Sequence, residues 1–339
     1  IGDSVSATTP EISTAPASEN ANSVNSVPTR PPMKPIGAYT ATRVVVIATG
    51  SSPVVPEAWQ SFRDDVITTD EIFELETLPA SVAVIGLGSI GLELGQSLKR
   101  MGVEVTAVDM LDRIASLDDA DVNKLAVETI GKEFPVWLGE QAELRKTDAG
   151  IEVTAGGNTV VVEKVLASLG RAPNLAGLNL EATDIPLDSH GVPEFDPLTM
   201  RIADLPVFIG GDVTMDRAIL HEAGHEGRVA GFNAMRLVEG EQPTRFQRKV
   251  PLGITFCDPN IATVGARLEE LDMDAIAIGE IQFAPVGRAL IMGKNRGLRR
   301  VYARKSDGLV LGASMCCVKA ENLAHLICWS IEQGLTVFD

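Results

Sequence analysis

The sequence predicts an α/β protein: two blocks of parallel strands and helices, then a third unit in which an antiparallel sheet carries helices. Three observations support this. Val44 to Ala48 is a continuous β-branched run stopped by Thr49-Gly50-Ser51-Ser52-Pro53, the pattern of a strand covered on both faces. From Ser81 the order is strand, glycine turn, helix, strand. From about Thr244 the helical spacing thins and short strands alternate with turns up to one last helix. With 339 residues, 45% of them hydrophobic, the chain can bury several cores, and its length suggests two or three domains.

Residues 1–40 are dominated by Ser, Thr, Ala, Pro and Asn. Such a segment cannot offset its own ordering entropy, so it is expected to be disordered or a linker. Ile1 at the start suggests a fragment. A transit peptide is not expected, because Arg30 is the only arginine of this stretch. Val82 to Ile85 reads as a strand, Ile90, Leu94, Leu98 and Met101 as one face of a helix, and Val103 to Val108 as the next strand. A helix is predicted over Asp118 to Lys132. A hairpin follows at Gly157-Asn158, between Ile151 to Thr154 and Val160 to Val162, then a strand at Val165 to Leu169 and a last helix near Asn322 to Gln333.

The formal charge of −17 argues against nucleic acid or an anionic membrane surface as partner, since both need a basic face. No stretch approaches the ~20 continuous apolar residues of a membrane span, and a cytoplasmic location is expected. Cys257, Cys316, Cys317 and Cys328 are too few and too late in the chain for a disulfide framework.

Gly86-Leu87-Gly88-Ser89-Ile90-Gly91 fits G-x-G-x-x-G, follows a strand and opens a helix. Free amide N–H groups and the helix dipole there face one point suited to a pyrophosphate. Asp109 ends the next strand 18 residues after Gly91, where a carboxylate accepts hydrogen bonds from both hydroxyls of an adenosine ribose and repels a 2′-phosphate. NAD is therefore expected over NADP. Arg113 is the only basic residue near enough to soften that choice.

From about Ala41 to Asp339 the sequence resembles the FAD- and NAD-linked pyridine nucleotide-disulfide oxidoreductases, most closely the dihydrolipoamide dehydrogenases. The likeness is carried by "IATGSSPVVP", "GLGSIGLELG" with Asp109, "VLASLGRAPN", "LPVFIGGDV", "ILHEAGHEGRVAG" and "FCDPNIATVG". It implies two Rossmann-like dinucleotide-binding domains, the FAD one incomplete, and an α+β dimerisation domain incomplete at its C-terminal end. The implied division is residues 41–75 as the first part of the FAD domain and crossover, 76–185 as the NAD domain, 186–243 as the second part of the FAD domain and 244–339 as the dimerisation domain. Ala48, Thr49, Gly50, Ser51, Gly211 and Asp212 would belong to the FAD site, with Asp212 on the ribityl chain and Leu220-His221 near the flavin ring. Gly86, Gly88, Ser89, Ile90, Gly91, Glu93, Asp109, Gly170 and Arg171 would line the NAD site. Asp212, an acid after two glycines at a strand end, is also physically suited to a polyol hydroxyl.

Members of this family start with a strand and glycine motif for the FAD pyrophosphate, followed by a Cys-x4-Cys redox pair, and carry a His-Pro base beyond a stretch like "QGLTVFD". None of the three is present, so no catalytic residue is assigned. A positioned histidine base is typically worth ~10²- to 10⁴-fold in rate.

Other candidates have two readings each. His221-Glu222-Ala223-Gly224-His225 spells the zinc motif H-E-x-x-H, with Glu239 or Glu241 as a third ligand, yet it falls where a helix is needed to cover a sheet; no metal is expected. Cys316-Cys317 is a vicinal redox pair or two buried strand thiols on opposite faces. His325 and Trp329 line a pocket or pack the last helix. Glu93 is a flavin-proximal group or a helix acid near the N-terminal dipole. The function expected is dithiol to FAD to NAD electron transfer, with this chain an incomplete and inactive fragment. It would be homodimeric, with a lipoyl or small dithiol substrate and a 2-oxo-acid dehydrogenase complex as partner. The alternatives are a degenerate NAD-binding, dimerising protein and an NADH oxidase or peroxidase relative.

Overall fold

The computed structural model describes residues 44–339. The linker expected over residues 1–40 lies outside them. At the centre is a five-stranded, all-parallel sheet in the order Val66–Ile67, Lys164–Ala167, Ser81–Ile85, Glu104–Asp109, Val136–Leu138. Alternation sorts its side chains. Val82 and Val84 face helices α1 (Ser89–Arg100) and α2 (Ala120–Ile130), while Ala83 and Ile85 face Ile151, Val153 and Val162 of a three-stranded meander, Glu143–Thr147, Gly150–Ala155 and Asn158–Val162. The first meander strand, mostly polar, has no apolar signature in the sequence. Helix α1 meets its apolar spacing only in part: Leu98 is buried and Leu94 packs partly buried against the core, but the ends of the expected face do not. Ile90 is 37% and Met101 58% exposed, whereas Gly91, Leu92, Gly95 and Leu98 are buried. Glycines bring the helix axis close to the sheet: a Cβ on Gly95 would lie 3.3 Å from Val84. A hydrophobicity pattern cannot register that contact.

A second, four-stranded sheet runs Val45–Ile47, Val207–Ile209, Arg201–Ile202, Phe195–Asp196, with the first pair parallel and the others antiparallel. Ile47, Ile202 and Ile209 pack with Leu175, Leu180 and Ile185 on one face. Helix α3 (Leu220–Val238) covers Phe208 on the other. Among the described residues, the strand expected to be covered on both faces is an edge strand instead. Val45 is 45% and Val46 46% exposed, because no described strand lies beyond them.

The third unit is a five-stranded antiparallel sheet, Leu252–Thr255, Asn260–Gly265, Val310–Cys317, Gly297–Arg304, Ile276–Gln282, with the short helix α4 (Gly287–Ile291) and α5 (Ala320–Glu332). Ala262, Ala313 and Met315 pack with Ala320 and Ala324 of α5. Ile261, Leu298 and Cys316 join the core beneath α1 and α2. Asp119 fastens the two units: it caps α2 by accepting from the amides of Asp121 (3.1 Å) and Val122 (3.3 Å). Fully buried, it also accepts from Arg300 Nη1 at 2.7 Å and Tyr302 Oη at 2.8 Å. Cys316 and Cys317 are free and sit on opposite faces of their strand, the first near Cys257, the second in the α5 core.

Candidate functional site

The glycine turn lies where the central strand Ser81–Ile85 gives way to α1. Gly86 has φ +96°, and a Cβ there would lie 2.3 Å from Ser168 O; one on Gly91 would lie 1.9 Å from Gly86 O. These two positions must be glycine for the turn to close. Gly88 is different: nothing comes within 4 Å of the Cβ it lacks, and it precedes a helix whose N-terminus has no side-chain cap. Open space, approachable backbone and uncapped amides are what a pyrophosphate requires, so the residues fit a dinucleotide. Asp109 braces the turn by accepting from Leu87 N at 2.6 Å and Leu111 N at 2.9 Å. Each carboxylate oxygen keeps a second lone pair for a ribose hydroxyl.

Beside the turn opens a cleft of about 540 Å³. Gly88, Ser89, Ile90, Gly170 and Arg171 line it from the central unit, His221 from α3, and Leu252, Ile254, Phe256 and His325 from the third unit. The Arg171 guanidinium is occupied, with Nε on Ser51 Oγ (2.7 Å), Nη2 on Ser51 O (2.7 Å) and Nη1 on Thr69 Oγ1 (3.3 Å). It therefore ties the strand Arg171–Pro173 to its antiparallel partner Ser51–Pro53 as well as walling the cleft. Ser51 Oγ lies 3.4 Å from Asp212 Oδ2, so the two expected flavin segments, Ala48 to Ser51 and Gly211-Asp212, are brought together. Thr49 O and Gly50 O accept from Asn174 Nδ2 (3.1 Å) and Asn174 N (2.9 Å), and Ala48 is exposed.

Gly211, at φ +84°, donates its N–H to Glu226 Oε2 at 2.8 Å. Burial pushes the Glu226 carboxyl above its ordinary range, against the Gly211 hydrogen bond and the facing Arg248, whose Nη2 is 2.9 Å away. Leu220 and His221 are exposed at the start of α3. Glu93 does not enter the cleft wall; its Oε1 accepts from Phe256 N at 2.8 Å. Ser89 Oγ is 2.7 Å from Thr255 Oγ1. Both contacts hold the third unit against the turn.

In the H-E-x-x-H segment Glu222 is buried and bonded to Arg217 (3.1 Å) and Arg248 (3.2 Å), which removes it from the role of a base. Among the described residues no three His, Cys, Asp or Glu side chains converge as metal ligands. Of the two readings of His325 and Trp329, the histidine takes the first and lines the cleft, while Trp329 is exposed. Phe256 and Ser168 lie in stretches that carry the family likeness, but their place at the turn, like that of the Leu252–Ile254 wall, has no local signal, because only the tertiary approach of the third unit and of the neighbouring strand brings them there.

Residues 34–228 match the family model described as pyridine nucleotide-disulphide oxidoreductase, and residues 252–339 match its dimerisation domain. Dihydrolipoyl dehydrogenase 2 of Haloarcula marismortui is 32% identical over 305 residues, 87% of this chain and 63% of that relative. Mercuric reductase of Staphylococcus aureus is 27% identical over 89% of this chain and 56% of its own length. Among solved structures, LpdA of Mycobacterium tuberculosis aligns at a TM-score of 0.75 and 26% identity, covering 87% of this chain and 64% of that one. The chain thus spans under two thirds of the length of these relatives. The two domain models together establish kinship: the chain belongs to the pyridine nucleotide-disulphide oxidoreductase family.

Proposed function

We propose that these residues bind NAD(H) at the Gly86–Asp109 turn and serve a dihydrolipoyl dehydrogenase-type flavoprotein, in which electrons pass from a dithiol through FAD to NAD⁺. The observation that carries this reading is the open backbone of Gly88 between two glycines that tolerate no Cβ. Asp109 selects the unphosphorylated ribose, and the uncapped α1 amides receive the pyrophosphate. Ile90, Ile254 and Phe256 give the cleft apolar walls beside Arg171 and His221. Asp212, fixed by the Gly211–Glu226 bond, and the exposed Leu220-His221 edge are the residues that would face FAD, which when bound supplies two-electron redox chemistry. The division into FAD, NAD and dimerisation segments given above is part of this proposal, as are the homodimer, a 2-oxo-acid dehydrogenase complex as partner and a cytoplasmic location. The dimerisation-domain match supports the dimer. The location is consistent with free cysteines and with the absence, among the described residues, of a helix long and apolar enough to cross a membrane.

The 339 residues contain no Cys-x4-Cys pair and no His-Pro, so by themselves they are expected not to oxidise dihydrolipoamide. The described cysteines do not replace the pair. Burial pushes the thiols of Cys257 and Cys317 up to about 12 and raises that of Cys316 further. This favours, as a second reading for these residues alone, an NAD-binding and dimerising protein without redox activity. Calorimetric titration tests the first step: NADH binds more tightly than NADPH, and Asp109→Ala narrows the difference. Equal affinities in the unaltered chain overturn the assignment. The visible spectrum and a dihydrolipoamide assay then separate the readings, since stoichiometric flavin with turnover rejects the inactive one.

A further inference from the structure

The third unit reaches the loop after Asp109 from the side. Arg113 Nη1 donates to Glu269 Oε2 at 3.2 Å, Glu269 N donates to Asp118 Oδ2 at 3.0 Å, and Arg267 Nη2 donates to Ser116 O at 3.4 Å. The loop itself is anchored on both sides of Arg113. Leu111 N donates to Asp109 Oδ1 at 2.9 Å, and Ala115 N donates to Leu87 O at 2.8 Å, inside the glycine turn. Ala115 and Ser116 hold φ of 49° and 56°, left-handed conformations that such residues keep only when their surroundings enforce them. Arg113 is thus held beside the ribose-facing acid, and it is the only Lys or Arg between Arg100 and Lys124. Its guanidinium, however, is turned to Glu269. That carboxylate also accepts from Arg267 Nε at 2.9 Å, and the Arg113 hydrogen bond foremost holds its carboxyl below the ordinary range.

We propose that Glu269 is a specificity-determining residue for the dinucleotide: by holding the Arg113 guanidinium on the third unit, it denies a 2′-phosphate of NADP(H) the cation carried by the loop that follows Asp109. The proposal rests on the NAD reading of the Gly86–Asp109 turn. A 2′-phosphate is a strong acceptor for a guanidinium fork and would compete directly with Glu269. With Asp109 repelling that phosphate and Glu269 withholding its counter-ion, discrimination has two parts on two different units. The Arg113–Glu269 pair is solvent-exposed, so its individual weight is modest.

The test uses the 339-residue chain, titrated calorimetrically with NADH and with NADPH, as wild type, Glu269→Gln, Arg113→Gln and the double variant. Glu269→Gln should leave the NADH Kd unchanged and strengthen NADPH binding about three- to fivefold. The gain should vanish in the double variant, which isolates the pairwise coupling. Unchanged NADPH affinity in Glu269→Gln overturns the proposal. So does an equal gain in the double variant, because the lost negative charge alone then accounts for it, and so does a parallel loss of both nucleotides, which marks a purely structural role. Failure of the wild type to bind NADH rejects the NAD reading beneath it and the proposal with it, an outcome distinct from NADH binding with an unmoved ratio.

Discussion

The central sheet and the sheet beside it start from nearly the same material and end differently. Ser81–Ile85 and Val45–Ile47 are both short valine- and isoleucine-rich strands running into a glycine, yet Val82, Ala83 and Val84 are fully buried while Val45 and Val46 stand half open. The difference lies in the neighbours. Ser81–Ile85 has a parallel strand on each side, helices on one face and the meander on the other. Val45–Ile47 has only Val207–Ile209, on one side, among the described residues. An apolar run specifies a strand; how much of it is buried is decided by what else pairs with it. The first sheet therefore carries a glycine turn closed on all sides but one, and beside the second, whose edge is open among the described residues, stand Asp212 and the exposed Leu220-His221.

The sharpest way to probe this contrast is inside the turn. Gly91→Ala forces a methyl onto Gly86 O and should cost about 3 kcal/mol in urea denaturation, abolishing NADH binding as well. Gly88→Ala meets no atom, so stability should stay within about 0.5 kcal/mol while NADH affinity falls roughly tenfold through lost backbone approach. Equal destabilisation by the two would break the distinction between closing glycines and the open one.

The next test compares the sheets directly. Val84→Ala empties a site with no solvent access and should cost about 2 kcal/mol. Val46→Ala, at the open edge, should change stability by less than about 0.5 kcal/mol. If Val46→Ala costs as much as Val84→Ala, the edge is covered in solution.

A smaller effect should appear as a pH dependence confined to the flanking region. Burial pushes the His225 imidazole on α3 below its ordinary 6.5, a pull only partly countered by Glu222 and reinforced by Arg248. As pH falls below 6.5 the unfolded chain takes up a proton that the folded one resists, so stability falls with acidification. Hydrogen exchange should show α3 amides losing protection before those of the central strands, and His225→Gln should flatten this response. A uniform loss of protection in all three sheets counts against a local origin.

The turn was legible because Gly86 and Gly91 are required by close backbone contact, Gly88 leaves the backbone open and Asp109 braces the turn through its carboxylate, and such requirements are written in residue identity. The inward face of α1 was legible only at Leu94 and Leu98, because Gly91 and Gly95 create close packing without carrying hydrophobicity. The α/β blocks and the antiparallel third unit could be read from periodicity, whereas the edge position of Val45–Ile47 depends on strands distant in sequence. At the site, Gly88, Arg171 and His221 could be picked out, and the structure brings them to one cleft. The second job of Arg171, clamping Ser51 across 120 positions, could not be read, nor could the entry of Phe256 from the third unit, whereas a pocket was one of two readings open for His325. Long-range partners leave no local pattern.

Asp119 ties the timing of synthesis to the soundness of the fold. Its partner Tyr302 lies 183 residues downstream. At ordinary elongation rates a ribosome adds that length in roughly 10–40 s, so the nascent central unit carries its α2 cap for that interval without the arginine and tyrosine that later enclose it. A chain released before residue 300 leaves this carboxylate with neither the arginine nor the tyrosine that encloses it in the finished fold.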